Sequence, residues 1–287
     1  MQHWLNVFIQ GVLLGGLYAL FAAGLSLIFG IMRLVNIAHG DLIVVCAYML
    51  YTVTVLLGIN PFLALLVTLP AAAILGYVLQ RGLLNLTLGD ELPPLMVTIG
   101  LSVIIQNVLL LVFTPDTHRL HAGEIEVASI PLTSEISIGI LPLIQFAVAV
   151  AVVCALQLIF YRTALGRAFR ATADDPEVAQ LMGIETRHVF ALAMALSLAV
   201  VAIAAMFIAV RVSFDPFSGP LLLIFGFEAV IMGGLGNIWG TLAGGIMLGV
   251  AQTIGGQINV GLPFLAGHLV FLAVLLVRPQ GLFPKVA

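Results

Sequence analysis

Six stretches of this chain, 1–32, 42–80, 92–115, 136–161, 189–210 and 229–277, contain no aspartate, glutamate, lysine or arginine. A helix crosses the hydrocarbon of a bilayer with about 20 mainly apolar residues. Each run therefore holds one crossing, and 42–80 and 229–277 are long enough for two. Only helices and closed barrels satisfy their backbone groups without water. The runs are continuous and lack the alternation of barrel strands. The expected fold class is all-α: a polytopic transmembrane helical bundle of eight or nine hydrophobic segments in a single domain, 1–287. Composition agrees. The chain is 62% hydrophobic and 8% charged, where a soluble domain carries roughly 25% charge.

The predicted spans are 5–31, 42–57, 62–79, 95–113, 138–161, 189–210, 221–235, 238–254 and 262–277. Nine spans satisfy every loop; eight result if the glycine-rich 221–254 region is re-entrant. The first span lacks a basic flank and a small-residue cleavage site, so it is expected to be retained. Basic residues in short loops face the cytoplasm. Arg162, Arg167, Arg170 and Arg187 place their loop there, Arg81 agrees, and Arg278 and Lys285 bring the C-terminus to the same side. The 114–135 loop and the N-terminus then lie outside.

The charged loop at 162–187 is the one aqueous segment with internal structure. Asp175 is placed to N-cap a short helix, Pro176 fits its first position and Gly183 fits the residue after its C-cap. Val178, Leu181 and Met182 fall on one face. A capped, amphipathic helix between two spans is a docking element that can carry force from a soluble partner. Its candidate residues are Arg167, Arg170, Asp174, Asp175, Pro176, Val178, Leu181, Met182 and Gly183.

Polar residues interrupt the apolar runs in two places. At 32–41, Asn36, His39 and Asp41 fit either a cytoplasmic turn capping the second span or a helix break presenting polar groups to a cavity. Glu228 stands inside the seventh span. It is either a functional intramembrane carboxylate or a structural one, paired with an arginine or capping a half-helix. These four are the candidate translocation-path residues. Gln106 and Asn107 are read as helix–helix hydrogen bonds. Gly11 and Gly15, and Gly236, Gly240 and Gly244, recur every four residues, the spacing that lets helices approach closely in lipid. Leucine at Gly240 is expected to be much worse than alanine. A weak likeness between the first span and 234–251 hints at an internal repeat.

Several classes are excluded. No basic stripe exists for nucleic acid, and the net charge is −3. Cys46 and Cys154 lie in apolar runs as small buried residues. No nucleophile–base arrangement or metal-ligand spacing is present, so no catalytic or metal site is expected. The phosphate loop G-x-x-x-x-G-K-[ST] is absent, and the sole lysine is Lys285. Cofactors are therefore expected to be none on this chain, and any ATP is hydrolysed by a separate subunit.

Gly16-Leu-Tyr-Ala-Leu through Ile28-Phe-Gly30, Asn36-Ile-Ala-His-Gly40, Leu165-Gly-Arg-Ala-Phe-Arg170 with Met182-Gly183-Ile184, Gly233-Gly-Leu-Gly236 with Gly240, and Arg278-Pro-Gln-Gly-Leu-Phe283 span nearly the whole length. Together they resemble the membrane permease subunit of the branched-chain amino-acid ABC importers. The resemblance implies a bacterial inner-membrane complex of two different permeases, two ATP-binding subunits and a periplasmic solute-binding protein. It also implies that the loop after the central span contacts the ATPase. Asp41 stands where many members have a large apolar residue, which leaves urea or a short amide as an alternative solute. An ion-coupled secondary transporter using Asp41 or Glu228 is the rival mechanism, and a self-sufficient carrier has no need of a docking helix.

Overall fold

A computed structural model of the chain describes residues 2–88, 92–131 and 137–283; Lys285 lies outside the described residues. Eleven α-helices occur among them. In chain order they are α1 (Gln2–Met32), α2 (His39–Leu57), α3 (Pro61–Gly82), α4 (Leu92–Phe113), α5 (Ile140–Arg162), α6 (Ala164–Asp174), α7 (Pro176–Leu181), α8 (Thr186–Arg211), α9 (Gly219–Gly233), α10 (Ile238–Ile258) and α11 (Pro263–Val277). Strands β1 (Ser129–Pro131) and β2 (Ser137–Gly139) pair antiparallel before α5. Seven helices are long and apolar enough to cross a membrane, while α9 and α11 are shorter. The protein is an all-α, multi-pass membrane bundle.

Local chemistry sets the helix starts. Asn60 accepts from the Phe62 N–H at 3.0 Å to open α3, with Pro61 at its first position. Asn237 accepts from the Gly240 N–H at 2.9 Å to open α10. Asp175 accepts from the N–H groups of Glu177 and Val178 to open α7, Pro176 follows it, and Gly183 has φ +85° just past the end. Each is a side chain satisfying donors that a helix leaves unpaired at its start.

α1 and α8 form the centre, with most of their residues buried; α3, α4, α5 and α11 are peripheral. Leu66, Leu111 and Leu276 on these outer helices are exposed apolar side chains. That distribution suits a solvent of lipid tails rather than water.

The packing repeats itself with inverted direction. α1 lies chiefly against α10, and α3 chiefly against α8; α1 meets α9 as α8 meets α2, and α2 meets α4 as α9 meets α11. Exchanging α1–α4 for α8–α11 therefore maps these contacts onto one another. α1 begins near the β-hairpin, where Gln10 donates to the Ser137 carbonyl, and ends near the charged loop, where Arg33 reaches the Ala173 carbonyl. α8 runs the other way, out of the charged loop and towards Phe214, which bridges to His118. Two such halves of opposite direction are an inverted repeat. The counterpart of the first span is thus α8 and not 234–251. The likeness of α1 to α10 comes from the small residues with which the two touch.

Those small residues do not form the single row that their spacing suggests. A Cβ on Gly11 would lie 2.6 Å from the Val250 Cα, and one on Gly15 2.4 Å from the Ile246 Cα. Gly240 and Gly244 instead face α9, at Gly233 and Ala229. Gly236 precedes the helix at φ +77° and packs on Gly30. A Cβ on Gly240 would stand 2.2 Å from the Gly233 carbonyl oxygen, so alanine already collides there and is not the mild change expected from spacing.

Candidate functional site

The two halves meet at the start of their shorter second helices. α1 ends at Met32, and Arg33 turns the chain at φ +52°. Residues 33–38 then run without regular structure back into the bundle. His39 opens α2 at mid-depth: its ring Nε2 donates to the carbonyl of Phe21, in the middle of α1, at 3.3 Å. The break is therefore within the bundle and not a turn at its edge. In the other half, residues 212–218 lead from the end of α8 to Gly219, the first residue of α9, through a turn in which Asp215 accepts from the Phe217 N–H.

Gly40 and Gly219 are where α2 and α9 touch. A Cβ on Gly40 would lie 2.1 Å from the Gly219 carbonyl oxygen, and a Cβ on Gly219 would lie 2.2 Å from Asp41 Oδ1. Neither position has room for a side chain. Two helix N-termini, each carrying partial positive charge, thus converge at mid-depth with the Asp41 carboxylate between them. Gln106 on α4 donates to Asp41 Oδ1 at 2.9 Å and to Ser102 Oγ at 3.2 Å. Asp41 and His39 are 1% exposed and Asn36 is 2% exposed. Both amide atoms of Asn36 and the Nδ1 of His39 have no partner, which is costly in a buried setting. Nearby, Ile37 donates its N–H to Thr98 Oγ1 at 3.3 Å. The junction thus holds a carboxylate with a donor on Oδ1 beside an amide and an imidazole nitrogen without partners, the arrangement that broken helices offer to polar solutes.

Glu228 does not belong to this cluster. It lies nine residues along α9 from Gly219, about 13 Å at 1.5 Å per residue. It accepts from Nδ1 of His268 on α11, not from an arginine, and its Oε2 has no partner. Phe225 stacks on the His268 ring at 6.2 Å between centroids and packs against Tyr18 at 5.4 Å. Tyr18 donates to Gln252 on α10, whose amide nitrogen is buried and unpaired. Tyr18, Glu228, Gln252 and His268 make a second polar cluster across four helices. His268 is only half-buried. Intramembrane ionisable groups face the bundle interior or a wet cavity rather than lipid, so this side of α9 and α11 is a candidate path surface.

The two carboxylates occupy equivalent elements: Asp41 on α2 is held from α4, and Glu228 on α9 is held from α11. Gln106 was legible as a helix–helix bond. His268, Tyr18 and Gln252 were missed because a search for acidic and basic residues passes over them. Polar side chains inside charge-free runs were the available signal. Asn107 bonds within its own helix, to the Val103 carbonyl.

The charged loop holds two helices where one was expected. α6 is capped by Thr163, which accepts from the Gly166 N–H at 3.0 Å, and it buries Phe169 completely. α7 is pinned by Ala179, 3% exposed, while Val178, Leu181 and Met182 are 53%, 86% and 79% exposed. Arg167, Asp174, Asp175 and Pro176 share this exposed end of the molecule, and Gly183 has open space around it. Arg170 does not; it turns inward, donating to the Phe160 carbonyl and lying 5.2 Å from the Tyr161 ring centroid. Arg81 and Glu185 tie α3 to the base of the loop at 2.5 Å.

Residues 7–278 match the model of the branched-chain amino acid transport system/permease component family. The chain belongs to this family. It is 30% identical to the high-affinity branched-chain amino acid transport system permease protein BraD of Pseudomonas aeruginosa, over 99% of this chain and 97% of that protein. It is 27% identical to the LivH permease of the same description from Escherichia coli K12, over 99% and 96% respectively. The fructose import permease protein FrcC of Rhizobium meliloti is 28% identical over 75% of this chain. No solved structure matches. Membership assigns the chain to transport permease components and agrees with the multi-pass bundle.

Proposed function

We propose that this chain is one membrane subunit of an ATP-driven importer for branched-chain or other small amino acids, paired with a second permease. Its loop face lies in the cytoplasm and its hairpin face in the periplasm of a bacterial inner membrane, with α7 seated on an ATP-hydrolysing subunit. The observation that carries this reading is the tip of α7. Three apolar side chains stand exposed on a rigidly capped helix in an otherwise charged loop, and a lipid-facing or self-sufficient protein gains nothing from them. A solute-binding protein delivers cargo at the hairpin face.

Mechanically, α7 is joined to α8 by a two-part anchor: Gln180 donates to Thr186 Oγ1 at 2.7 Å, and Ile184 donates to the Ala179 carbonyl at 3.0 Å. A displacement of α7 therefore moves the start of α8, a central helix. α8 packs on α1 and α2, so the junction at Gly40 and Gly219 moves with it. The polar groups at that junction and around Glu228 and His268 then line alternate routes for a solute that the binding protein has already selected. Weak contacts suffice for such a path.

Uptake into vesicles holding the complete complex tests the reading. With ATP held constant inside and proton and sodium gradients collapsed by ionophores, amino-acid uptake is expected to persist. Uptake that stops while ATP remains, and that Glu228→Gln already abolishes, sinks the importer reading in favour of ion coupling.

A further inference from the structure

A cavity of about 460 Å³ lies at the loop face between α1, α5, α6 and the first turn of α10. Its size is that of a small-molecule site, and its lining has a definite character. Among the described residues, Arg170 contributes the only charge to the lining and no acidic side chain joins it. No carboxylate lies within ion-pair distance of Arg170 among the described residues. Gln157 adds an amide from α5. Asn237, Ile238 and Trp239 bring the N-terminus of α10, a helix of 21 residues, to the wall. Asn237 caps the Gly240 N–H, which leaves the N–H groups of Ile238 and Trp239 ahead of the first intrahelical bond. Ser26 provides an independent sign. It is wholly buried in the wall, and its hydroxyl has no partner. An arginine, a helix N-terminus and an orphaned hydroxyl together are a site for an anion with several oxygens.

The depth selects the source. Tyr161 and Trp239 flank the cavity, exposed at 63% and 45%. They sit at the end of one apolar helix and the start of another, where aromatic side chains mark the membrane–water interface. Leu158, three residues before Tyr161 on α5, is also exposed, an apolar surface for an acyl chain. We infer that this cavity binds the phosphate headgroup of an anionic phospholipid from the leaflet at the loop face. Arg170 and the first turn of α10 take the phosphate oxygens, Ser26 and Gln157 complete the shell, and among the described residues no acidic group lines the cavity to receive a choline-type ammonium. The lipid would bridge α6, the base of the coupling loop, to α10.

The experiment uses the full chain in neutral maltoside micelles, with Trp4→Phe so that Trp239 is the remaining tryptophan. Dihexanoyl phosphatidylglycerol is titrated while Trp239 emission is recorded, with dihexanoyl phosphatidylcholine and inorganic phosphate in parallel. Saturable binding of the phosphatidylglycerol is expected, weakened about tenfold or more in Arg170→Gln and a few-fold in Gln157→Met, in line with charged and neutral hydrogen bonds. Arg170→Lys should recover part of the loss, because it keeps the charge without the planar fork. If Arg170→Gln does not fold, Gln157→Met and Arg170→Lys decide the matter. Equal response to phosphatidylcholine, or indifference to all three variants, overturns the inference. The same Arg170-dependent response to inorganic phosphate overturns the lipid source and assigns the cavity to a free anion.

Discussion

The junction at Gly40 and Gly219 and the tip of α7 are opposites. At the junction, polar groups are buried and there is no room for a methyl group. At the tip, apolar groups are exposed and Gly183 has nothing within 4 Å of an added Cβ. Each inverts the ordinary preference of its surroundings, and each does so with a different device. The junction is held by backbone contact, so its sequence requirement is steric. The tip is held by caps and one buried alanine, so its requirement is conformational, and its outward side chains are unconstrained by the fold. It follows that substitutions should cost stability at one place and coupling at the other.

The largest effect is expected at the junction. Gly40→Ala or Gly219→Ala puts a carbon some 2.1–2.2 Å from a backbone or carboxylate oxygen, and the helices must separate. A loss of about 3 kcal/mol or more is expected, read as a fall in melting temperature of the purified protein. Gly100→Ala, on α4 with open space around it, is the control and should be neutral or slightly stabilising. If Gly40→Ala and Gly100→Ala melt alike, the close approach does not exist.

At the tip the pattern should reverse. Leu181→Asp is expected to leave the melting temperature unchanged, since an exposed substitution away from special features stays within about 0.5 kcal/mol. ATP-driven uptake and co-purification of the ATP-hydrolysing subunits should fall together by about tenfold or more, as for an interface anchor. Normal uptake with normal subunit yield breaks the comparison. Cysteine accessibility in intact cells checks its orientation: Thr117→Cys should label and Glu177→Cys should not, in a chain whose native cysteines are replaced.

A smaller effect is expected one shell out from the junction. Gln106→Ala removes the donor to Asp41 Oδ1 and leaves a buried acceptor short of a partner, a loss of about 1–3 kcal/mol. Gln106→Glu should be worse, because it sets two carboxylates side by side. Equal stability of Gln106→Ala and the parent protein means that water reaches Asp41 and the junction is wetter than its packing indicates.

How much of this was legible in the sequence divides along the same line. The helices, the α7 caps and the apolar triad were readable because they depend on local spacing: Asp175, Pro176 and Gly183 act within one turn of their own positions. The break at 33–38 was readable as unusual but not as to depth, since depth is set by Phe21 and Gly219, far away in the chain. Glu228 stood out by its charge alone. Its partner His268 did not, because its relation to α9 exists only once the second half folds back. α6 was missed since Phe169, its buried anchor, is flanked by Arg167 and Arg170, and the segment reads as polar. The inverted repeat was misassigned for a similar reason: glycines mark where helices touch, not which helices correspond.

The smallest effect is expected at the base of the loop, and it tests whether the exposed region is as independent of the fold as the tip suggests. The Arg81 guanidinium holds the Glu185 carboxyl below the usual carboxylate range. A group depressed in the folded state contributes stability above its unfolded value, here near 4.5, and loses it as pH falls through the folded one. Both side chains are well exposed, at 45% and 63%, and water and salt screen such pairs. The melting temperatures of the parent and Glu185→Gln should therefore coincide at neutral pH, and their difference should not change between about pH 6 and pH 3. A parent that is measurably more stable at pH 6, with an advantage that disappears on acidification, would show that the pair anchors α3 to the charged loop. The loop would then share in the stability of the bundle, and the contrast between junction and tip would be one of degree.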